Sequence, residues 1–327
     1  MTKINLLRTL FSLKVRDEYP MYSMKYCGDY GFDEFIKHGA KCDDDIRRFV
    51  RKRLTQRKNI ELNTPNSGCT SFVAKNVEGG YLYARNYDFP YAPSLVLKTR
   101  PAKGYSAISI TDMTSLGYGK GQLPVKLAQK LPLLAAPYLP FDGMNEKGLA
   151  ISILQVPETD LQNDPDKITL NTTTMIRFIL DKTATVDEAI AVFRKYNIYF
   201  SNNVYVHYLI ADCTGKAALV EFWNGEMHIV EENIATNFIA HNGISFADCD
   251  NTVEKIVCKR YEKVNSVLST KINGLSMTEA AELLCDVGVH NEENTDMLQW
   301  SVVYNLSSLT GIAFPCRDMS KIYKFKI

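Results

Sequence analysis

The sequence predicts an α+β fold in which sheets pack together with helices outside, and three observations carry that prediction. Short segments rich in β-branched and aromatic residues, "CTSFVAKN", "GGYLYARNYDF", "SLVLKTR", "YSAISITDM" and "GLAISILQV", follow one another from Cys69 to Val156, bounded by turn signals as strands are. Helical stretches at 171–196, about 252–270 and 276–286 alternate with further strands. The order strands, helices, strands, helices, strands suits stacked layers better than a single open sheet.

Taken in order, "DDDIRRFVRKRLTQRK" from Asp43 to Lys58 puts acids before bases, matching the helix macrodipole, with Ile46, Phe49, Val50 and Leu54 at helical spacing. It predicts a leading helix whose basic face is solvated. "ELNTPNSG" at 61–68 then gathers Asn, Pro, Ser and Gly into an exposed loop. The chain therefore divides into a leader over 1–68, largely helical and then loop, and a main domain over 69–327. Within that domain, Thr185 and Glu188 form a T-x-x-E capping box for a helix through Val186, Ala189, Ile190 and Phe193. Three strands follow from Asn203 to Asn233, and Asn224-Gly225 predicts a tight hairpin between the last two. These three are expected to form a second antiparallel sheet, and "WSVVYNLSSLTGIAF" closes the chain with more strands.

Composition excludes several classes of partner. Lys plus Arg number 38 against 37 for Asp plus Glu, a net charge of +1, so no overall field attracts nucleic acid or an acidic membrane. The stretch "LPLLAAPYLP" at 131–140 is far short of the ~20 residues of a spanning helix. Arg8 and Lys14 break the apolar run at the N-terminus and no small-residue cleavage site follows, which points to the cytoplasm. The eight cysteines have neither disulfide-framework nor C-x-x-C spacing and are expected to be mostly buried thiols, with no metal site. No phosphate-cradling G-x-x-x-x-G-K-[ST] motif is present, and no cofactor is expected. A small-molecule substrate fits best, and the sequence allows a homo-oligomer.

The most informative junction is Gly68-Cys69. If that bond is cut, Cys69 carries a thiol and a free α-amine of pKa about 7.7–8.0, so nucleophile and base share one residue. "YARNYDF" supplies Arg85 and Asp88, sixteen and nineteen residues later. A hairpin would return both beside Cys69, the guanidinium favouring thiolate and the carboxylate holding the ammonium. The bland alternatives are a packed strand cysteine and a surface ion pair.

Gly-Cys-Thr followed by "ARNYDF", "DGMNEKGLAISILQVP", "YLIADCTGKAALVEF", "ATNF" and "CKRYEKV" resembles the choloylglycine hydrolase family, which contains bile salt hydrolases and penicillin V acylases, over residues 69–327. The resemblance implies an N-terminal nucleophile (Ntn) hydrolase with an αββα four-layer sandwich of two antiparallel sheets between helical layers. It implies Cys69 as nucleophile, Arg85 and Asp88 as its activating neighbours, and Asn237 as an oxyanion-hole side chain. The second oxyanion donor would be the backbone N–H of Gln155, a position where this chain departs from the Asn or Tyr of those relatives. Arg260 would be a further site arginine. Asn145, in the "MNEKGL" turn, is assigned to structure. The long leader resembles that of the acid ceramidase-like relatives, which cleave themselves before the cysteine.

The implied activity is hydrolysis of a non-peptide linear amide through an acyl-thioester, on an N-acyl amide such as a conjugated bile salt, penicillin V or a fatty acyl amide. Leu131, Leu133, Leu134 and Tyr138 are candidates to line an apolar acyl pocket. Three other readings compete: a Cys-His protease using His207 or His241, an acyltransferase of the same fold, and a catalytically silent binding protein.

Overall fold

A computed structural model describes residues 2–17, 19–55, 68–159, 161–241, 252–289 and 297–327. Most of the 61–68 loop, the end of the leading helix at 56–58 and two cysteines' side chains, at 249 and 258, lie outside the described set.

The leader contributes α1 (Lys3–Phe11), β1 (Lys14–Asp17), β2 (Met21–Lys25), the short α2 (Phe32–Phe35) and α3 (Asp43–Val50), which runs on as a wider turn to Thr55. Then come β3 (Gly68–Lys75), β4 (Tyr81–Asp88), β5 (Ser94–Thr99), β6 (Ala107–Asp112), β7 (Asp142–Asn145) and β8 (Ala150–Gln155). A small parallel pair, β9 (Thr169–Asn171) and β10 (Asn197–Tyr199), brackets α4 (Thr172–Lys182) and α5 (Val186–Lys195). The chain continues through β11 (Val206–Ala211), β12 (Ala217–Trp223), β13 (Glu226–Val230) and β14 (Ile234–Ala235) to α6 (Thr252–Thr270) and α7 (Met277–Asp286). It ends with β15 (Leu298–Asn305), β16 (Thr310–Pro315) and β17 (Tyr323–Lys326).

The strands form a nine-stranded sheet of order β1-β2-β5-β6-β7-β8-β11-β12-β13 and a six-stranded sheet of order β14-β3-β4-β15-β16-β17. Both are antiparallel except for β2 beside β5. Helices α4 and α5 cover the outer face of the first sheet, α6 and α7 that of the second, and β3 lies against β8 and β11. This is the αββα sandwich. Because each sheet is covered on both sides, β4, β6, β8, β11 and β15 are buried almost throughout instead of alternating with exposed residues. Polar groups inside are paired across the gap: Ser71 Oγ lies 2.9 Å from Ser152 Oγ, and Tyr83 OH donates to the Leu209 carbonyl at 2.9 Å. A separate apolar layer, with Phe72, Leu82, Val303 and Phe314 facing Val264, Ala280 and Leu284, joins the smaller sheet to its helices.

Local expectations hold well. Asn224 and Gly225 have φ of 52° and 81°, the left-handed pair a type I′ hairpin needs, between β12 and β13. Thr185 caps α5 by accepting from the Glu188 N–H at 3.2 Å, while the expected return bond goes one residue early, Glu188 Oε2 accepting from the Ala184 N–H at 2.7 Å. Three expectations are corrected. The strands at 203–233 do not form a sheet of their own: β11 pairs with β8, Leu209 opposite Ser152, and so extends the first sheet. The leader is not only helix and loop, since β2 adds to that sheet beside β5, Tyr22 opposite Leu95. Of the six described cysteines only Cys69 is buried, and Cys42 and Cys213 are exposed.

The N-terminal segment, residues 2–55, is built into the core. Tyr30 OH donates to buried Asp181 Oδ2 at 2.6 Å, and the Tyr138 OH donates to the Tyr30 carbonyl at 2.8 Å. Phe32 and Phe35 stack on each other and pack their rings against Tyr138. The four residues expected to line an acyl pocket, Leu131, Leu133, Leu134 and Tyr138, are not in the lining of the cavity beside Cys69, to which Leu139 and the adjoining Phe141 contribute instead. Leu133, Leu134 and Tyr138 are fully buried, and Tyr138 is occupied by the leader.

Candidate active site

Cys69 is the second residue of β3, and the hairpin to β4 sets its neighbours: Gly68 lies opposite Asp88, Cys69 opposite Tyr87, and Ser71 opposite Arg85. Side chains alternate between faces along a strand. Cys69, Ser71, Arg85 and Tyr87 therefore share the face that looks into the sandwich, while Asp88, an odd number of residues from Arg85, shares the face toward α6 and α7. The two residues predicted to flank Cys69 do so on opposite sides.

On the inner side, Arg85 Nη2 lies 3.8 Å from Cys69 Sγ and donates to the Ile153 carbonyl at 3.2 Å. Arg85 Nη1 pairs with Asp142 Oδ2 at 2.9 Å, and neither side chain is exposed. Asp142 also accepts from Tyr304 OH at 2.6 Å and from Trp300 Nε1 at 3.2 Å. Burial of the Arg85 cation is costly, but Asp142, Cys69, Tyr87 and Tyr83 together outweigh it, so Arg85 holds its proton above the ordinary value. Asp142 was not singled out from the sequence, although it opens the quoted "DGMNEKGL". On the outer side, Asp88 Oδ1 accepts the Val289 N–H at 2.9 Å, and Oδ2 lies 3.8 Å from Arg260 Nη1.

The backbone of Cys69 is held by residues far along the chain. Its N–H donates to Asn237 Oδ1 at 2.7 Å, and its carbonyl accepts from Arg260 Nη1 at 2.6 Å. Arg260 also donates to Thr70 Oγ1 and, through Nη2, to Asn237 Oδ1, each at 2.8 Å. Asn237 Nδ2 donates to the Gln155 carbonyl at 2.7 Å. The Gln155 N–H is directed at the Cys69 sulfur. Cys69, Arg85, Asp88, Gln155, Asn237 and Arg260 thus meet around one thiol. Asn145 has the structural place expected of it, accepting from the Lys147 and Leu149 N–H groups and donating to the Leu180 and Thr183 carbonyls.

Burial pushes the Cys69 thiol up. Arg85, Arg260 and the Gln155 N–H oppose that shift, and Asp88 adds to it. With the Gly68–Cys69 peptide intact, the nitrogen is an amide without basicity.

A cavity of about 50 Å³ adjoins the sulfur, with Leu139, Phe141, Ile153 and Val206 among its apolar lining and Thr173 and Ser201 among its polar lining. Ser201 Oγ donates to Asp43 Oδ1 of the leader at 2.7 Å, and Tyr199 OH reaches the same oxygen at 3.1 Å.

Of the two histidines offered as base by the Cys-His reading, His207 is committed elsewhere and His241 packs on another ring. His207 spends Nδ1 on Glu221 and Nε2 on the Thr236 carbonyl, and the His241 ring stacks on His228 at 3.5 Å. Among the described residues no cluster of three or more metal-type ligands occurs, and no helix is long and apolar enough to cross a membrane.

Beneath the cavity, Tyr87 OH donates to Asp112 Oδ2 at 2.9 Å. Burial raises Asp112 to about 6 against the hydrogen bonds of Thr114 and Tyr87. A carboxyl raised on folding contributes stability fully present below its unfolded value, near 3.8, and lost as pH climbs through about 6. Asp112→Asn removes that loss. Its stability relative to wild type should rise between pH 4 and pH 8 by on the order of 2 kcal/mol, read from urea midpoints. A difference flat in pH would show that Asp112 titrates normally.

Comparison with known proteins agrees with this geometry. The model of the family described as linear amide C–N hydrolases, choloylglycine hydrolase family, matches residues 69–243. A bile salt hydrolase/transferase of Clostridium perfringens (strain 13 / Type A) is 25% identical over 181 residues, 51% of this chain and 51% of that protein. The chain thus spans about half the length of the curated relative it matches. The crystal structure of a mutant conjugated bile acid hydrolase from Clostridium perfringens superposes with a TM-score of 0.58 at 15% identity, over 79% of this chain and 92% of the other. Penicillin V acylase from Agrobacterium tumefaciens gives 0.50 at 18%, over 76% and 83%. At such identities the two structures establish the Ntn-hydrolase fold. The family match covers more than half of the sequence, and the chain belongs to the choloylglycine hydrolase family of linear amide C–N hydrolases.

Proposed function

We propose that the protein hydrolyses a non-peptide linear amide with Cys69 as an N-terminal nucleophile, unmasked when the Gly68–Cys69 bond is cut. One observation carries this reading: the buried sulfur has the Arg85 guanidinium at 3.8 Å and the Gln155 N–H directed at it, beside the amide of Asn237. The family match beginning at Cys69 itself supports it.

After cleavage the α-amine of Cys69 takes the thiol proton, and Asp88, paired with residue 68 across the hairpin, stabilises the ammonium. The sulfur attacks the amide carbonyl. The oxyanion is met by the Gln155 N–H and by the second hydrogen on Asn237 Nδ2, the first being given to the Gln155 carbonyl. The ammonium returns its proton to the leaving nitrogen as the C–N bond breaks, which leaves an acyl-thioester and a free amine. Water, deprotonated by the same α-amine, then releases the acid. The apolar lining of the cavity favours an apolar acyl group.

Intact-mass analysis, N-terminal sequencing and amine release from a panel of N-acyl amides test the reading. An active protein with Gly68 still attached would overturn it. Asn237→Ala should lower kcat by ~100-fold with KM nearly unchanged, because an oxyanion donor bonds mainly to the transition state. A pure KM effect would move Asn237 to substrate binding.

A second reading, acyl transfer to an amine, is favoured by the likeness to the Clostridium perfringens bile salt hydrolase/transferase. Product analysis with millimolar amine present separates the two by the ratio of new amide to free acid.

The 1–68 piece is expected to stay bound after cleavage, since β2 is hydrogen-bonded to β5 and Leu10, Tyr30, Phe35 and Val50 are buried. The two pieces should co-elute on gel filtration without denaturant. Elution of the Cys69 fragment alone would refute the expectation.

A further inference from the structure

Two buried residues that this chemistry leaves unused grip the segment carrying Asn237. His207 on β11 directs Nδ1 to Glu221 Oε1 on β12 at 2.9 Å and Nε2 to the Thr236 carbonyl oxygen at 2.8 Å. Glu221 Oε1 also accepts the Ala240 N–H at 3.0 Å, and Oε2 accepts the His241 N–H at 2.7 Å. The backbone is thus pinned at 236 and again at 240–241, and Asn237 directly follows the first pin. After β14 ends at Ala235, no strand forms before His241. Side chains hold this stretch where a ladder would otherwise do so.

The chemistry of the pins is specific. A carbonyl oxygen can only accept, so Nε2 must donate. Burial raises the Glu221 carboxyl, but the bond and charge of His207 and the two N–H groups outweigh it and leave it below its ordinary value. Nδ1 faces the Glu221 carboxyl, so both ring nitrogens are spent and the ring bridges Glu221 and the Thr236 carbonyl. Both side chains are at most 1% exposed. A buried polar pair of this kind is a poor way to gain stability compared with packed apolar residues, so its position needs another reason. Asn237 supplies one, because its amide must meet the Cys69 nitrogen, Arg260 and the Gln155 carbonyl at once. A 1 Å error in such a group can cost ~100-fold in rate.

We propose that His207 and Glu221 are positioning residues that hold Asn237 in register with Cys69, and that they act on turnover only through Asn237. The proposal rests on reading Asn237 as the oxyanion donor.

The test uses the full chain, allowed to process, with turnover normalised to protein bearing a free N-terminal Cys69. The probe is p-nitrophenyl butyrate, an activated ester that needs the same oxyanion site. His207→Leu should lower kcat at least ten-fold with KM within two-fold, and His207→Gln, which can still donate to the Thr236 carbonyl, should recover part of the loss. Glu221→Gln, nearly unchanged in shape, should lower kcat in the same way while remaining folded by thermal melt. Added to Asn237→Ala, none of these changes should reduce kcat further. Wild-type kcat in both His207→Leu and Glu221→Gln, or a double variant well below Asn237→Ala, overturns the proposal while leaving the oxyanion assignment intact. Wild-type kcat in Asn237→Ala overturns both.

Discussion

Cys69→Ala is expected to abolish amide hydrolysis and to leave the chain uncut at its full 37.0 kDa. Both halves follow from one geometry. Cys69 sits at the start of β3 with its sulfur inside the sandwich and its nitrogen bonded to Asn237. For self-cleavage, the same sulfur attacks the Gly68 carbonyl, the peptide nitrogen takes up the thiol proton and leaves as the new α-amine, and water hydrolyses the resulting Gly68 thioester to free the sulfur. Alanine supplies no nucleophile for either step, and the remaining hydrogen bonds cannot replace a missing covalent intermediate. Intact-mass analysis of freshly purified protein reads processing, and amine release reads turnover. Cleavage of the purified variant at the wild-type rate would assign processing to another protease. Retained turnover would remove Cys69 from the chemistry.

Asp142→Ala should have the largest effect on stability. Arg85 and Asp142 are both fully buried and paired at 2.9 Å, and the carboxylate also receives Tyr304 OH and Trp300 Nε1. Removing the anion leaves a guanidinium and two polar hydrogens in a dry interior. Breaking one side of such a pair typically costs ~3–5 kcal/mol, a large share of a domain's total stability. Denaturant unfolding should record that loss. Exchanging both partners for apolar residues, Arg85→Met with Asp142→Leu, should recover much of the stability but none of the activity, because the guanidinium beside the sulfur is gone. A single Asp142→Ala variant that unfolds like wild type would mean that water or a shifted side chain already compensates Arg85. The double variant separates that outcome from a general failure to fold.

The legibility of the site varied with sequence distance. Cys69, Arg85 and Asp88 could be related to one another because two strands and a turn join them, and hairpin register follows from strand period. The same period, applied strictly, puts Arg85 and Asp88 on opposite faces, and the pairing with Asp142 settles which face Arg85 takes. Asp142 itself, 57 residues from Arg85, carries no local sign of its partner. Asn237 and Arg260, 168 and 191 residues from Cys69, were reached through family motifs, since nothing in their own neighbourhoods points to a thiol. The His207–Glu221 pair looked like ordinary strand residues, because alternation reports that a side chain faces inward and not what it meets there.

By itself, the sequence determined what depends on residues within a few positions of one another. The type of most main-domain elements, the Asn224-Gly225 hairpin, the Thr185 cap and the short path from Cys69 to Arg85 all follow from backbone preference and side-chain period. Only the tertiary structure decided which strands share a sheet, that β2 of the leader pairs with β5, that Tyr138 packs against the leader instead of a substrate, and that Asp142 is the counter-ion of Arg85. The reason is physical. Period and capping are set within a turn or two of chain, whereas the choice of partner across a core is made by burial and by the need to satisfy every polar group taken out of water, wherever in the chain its complement lies.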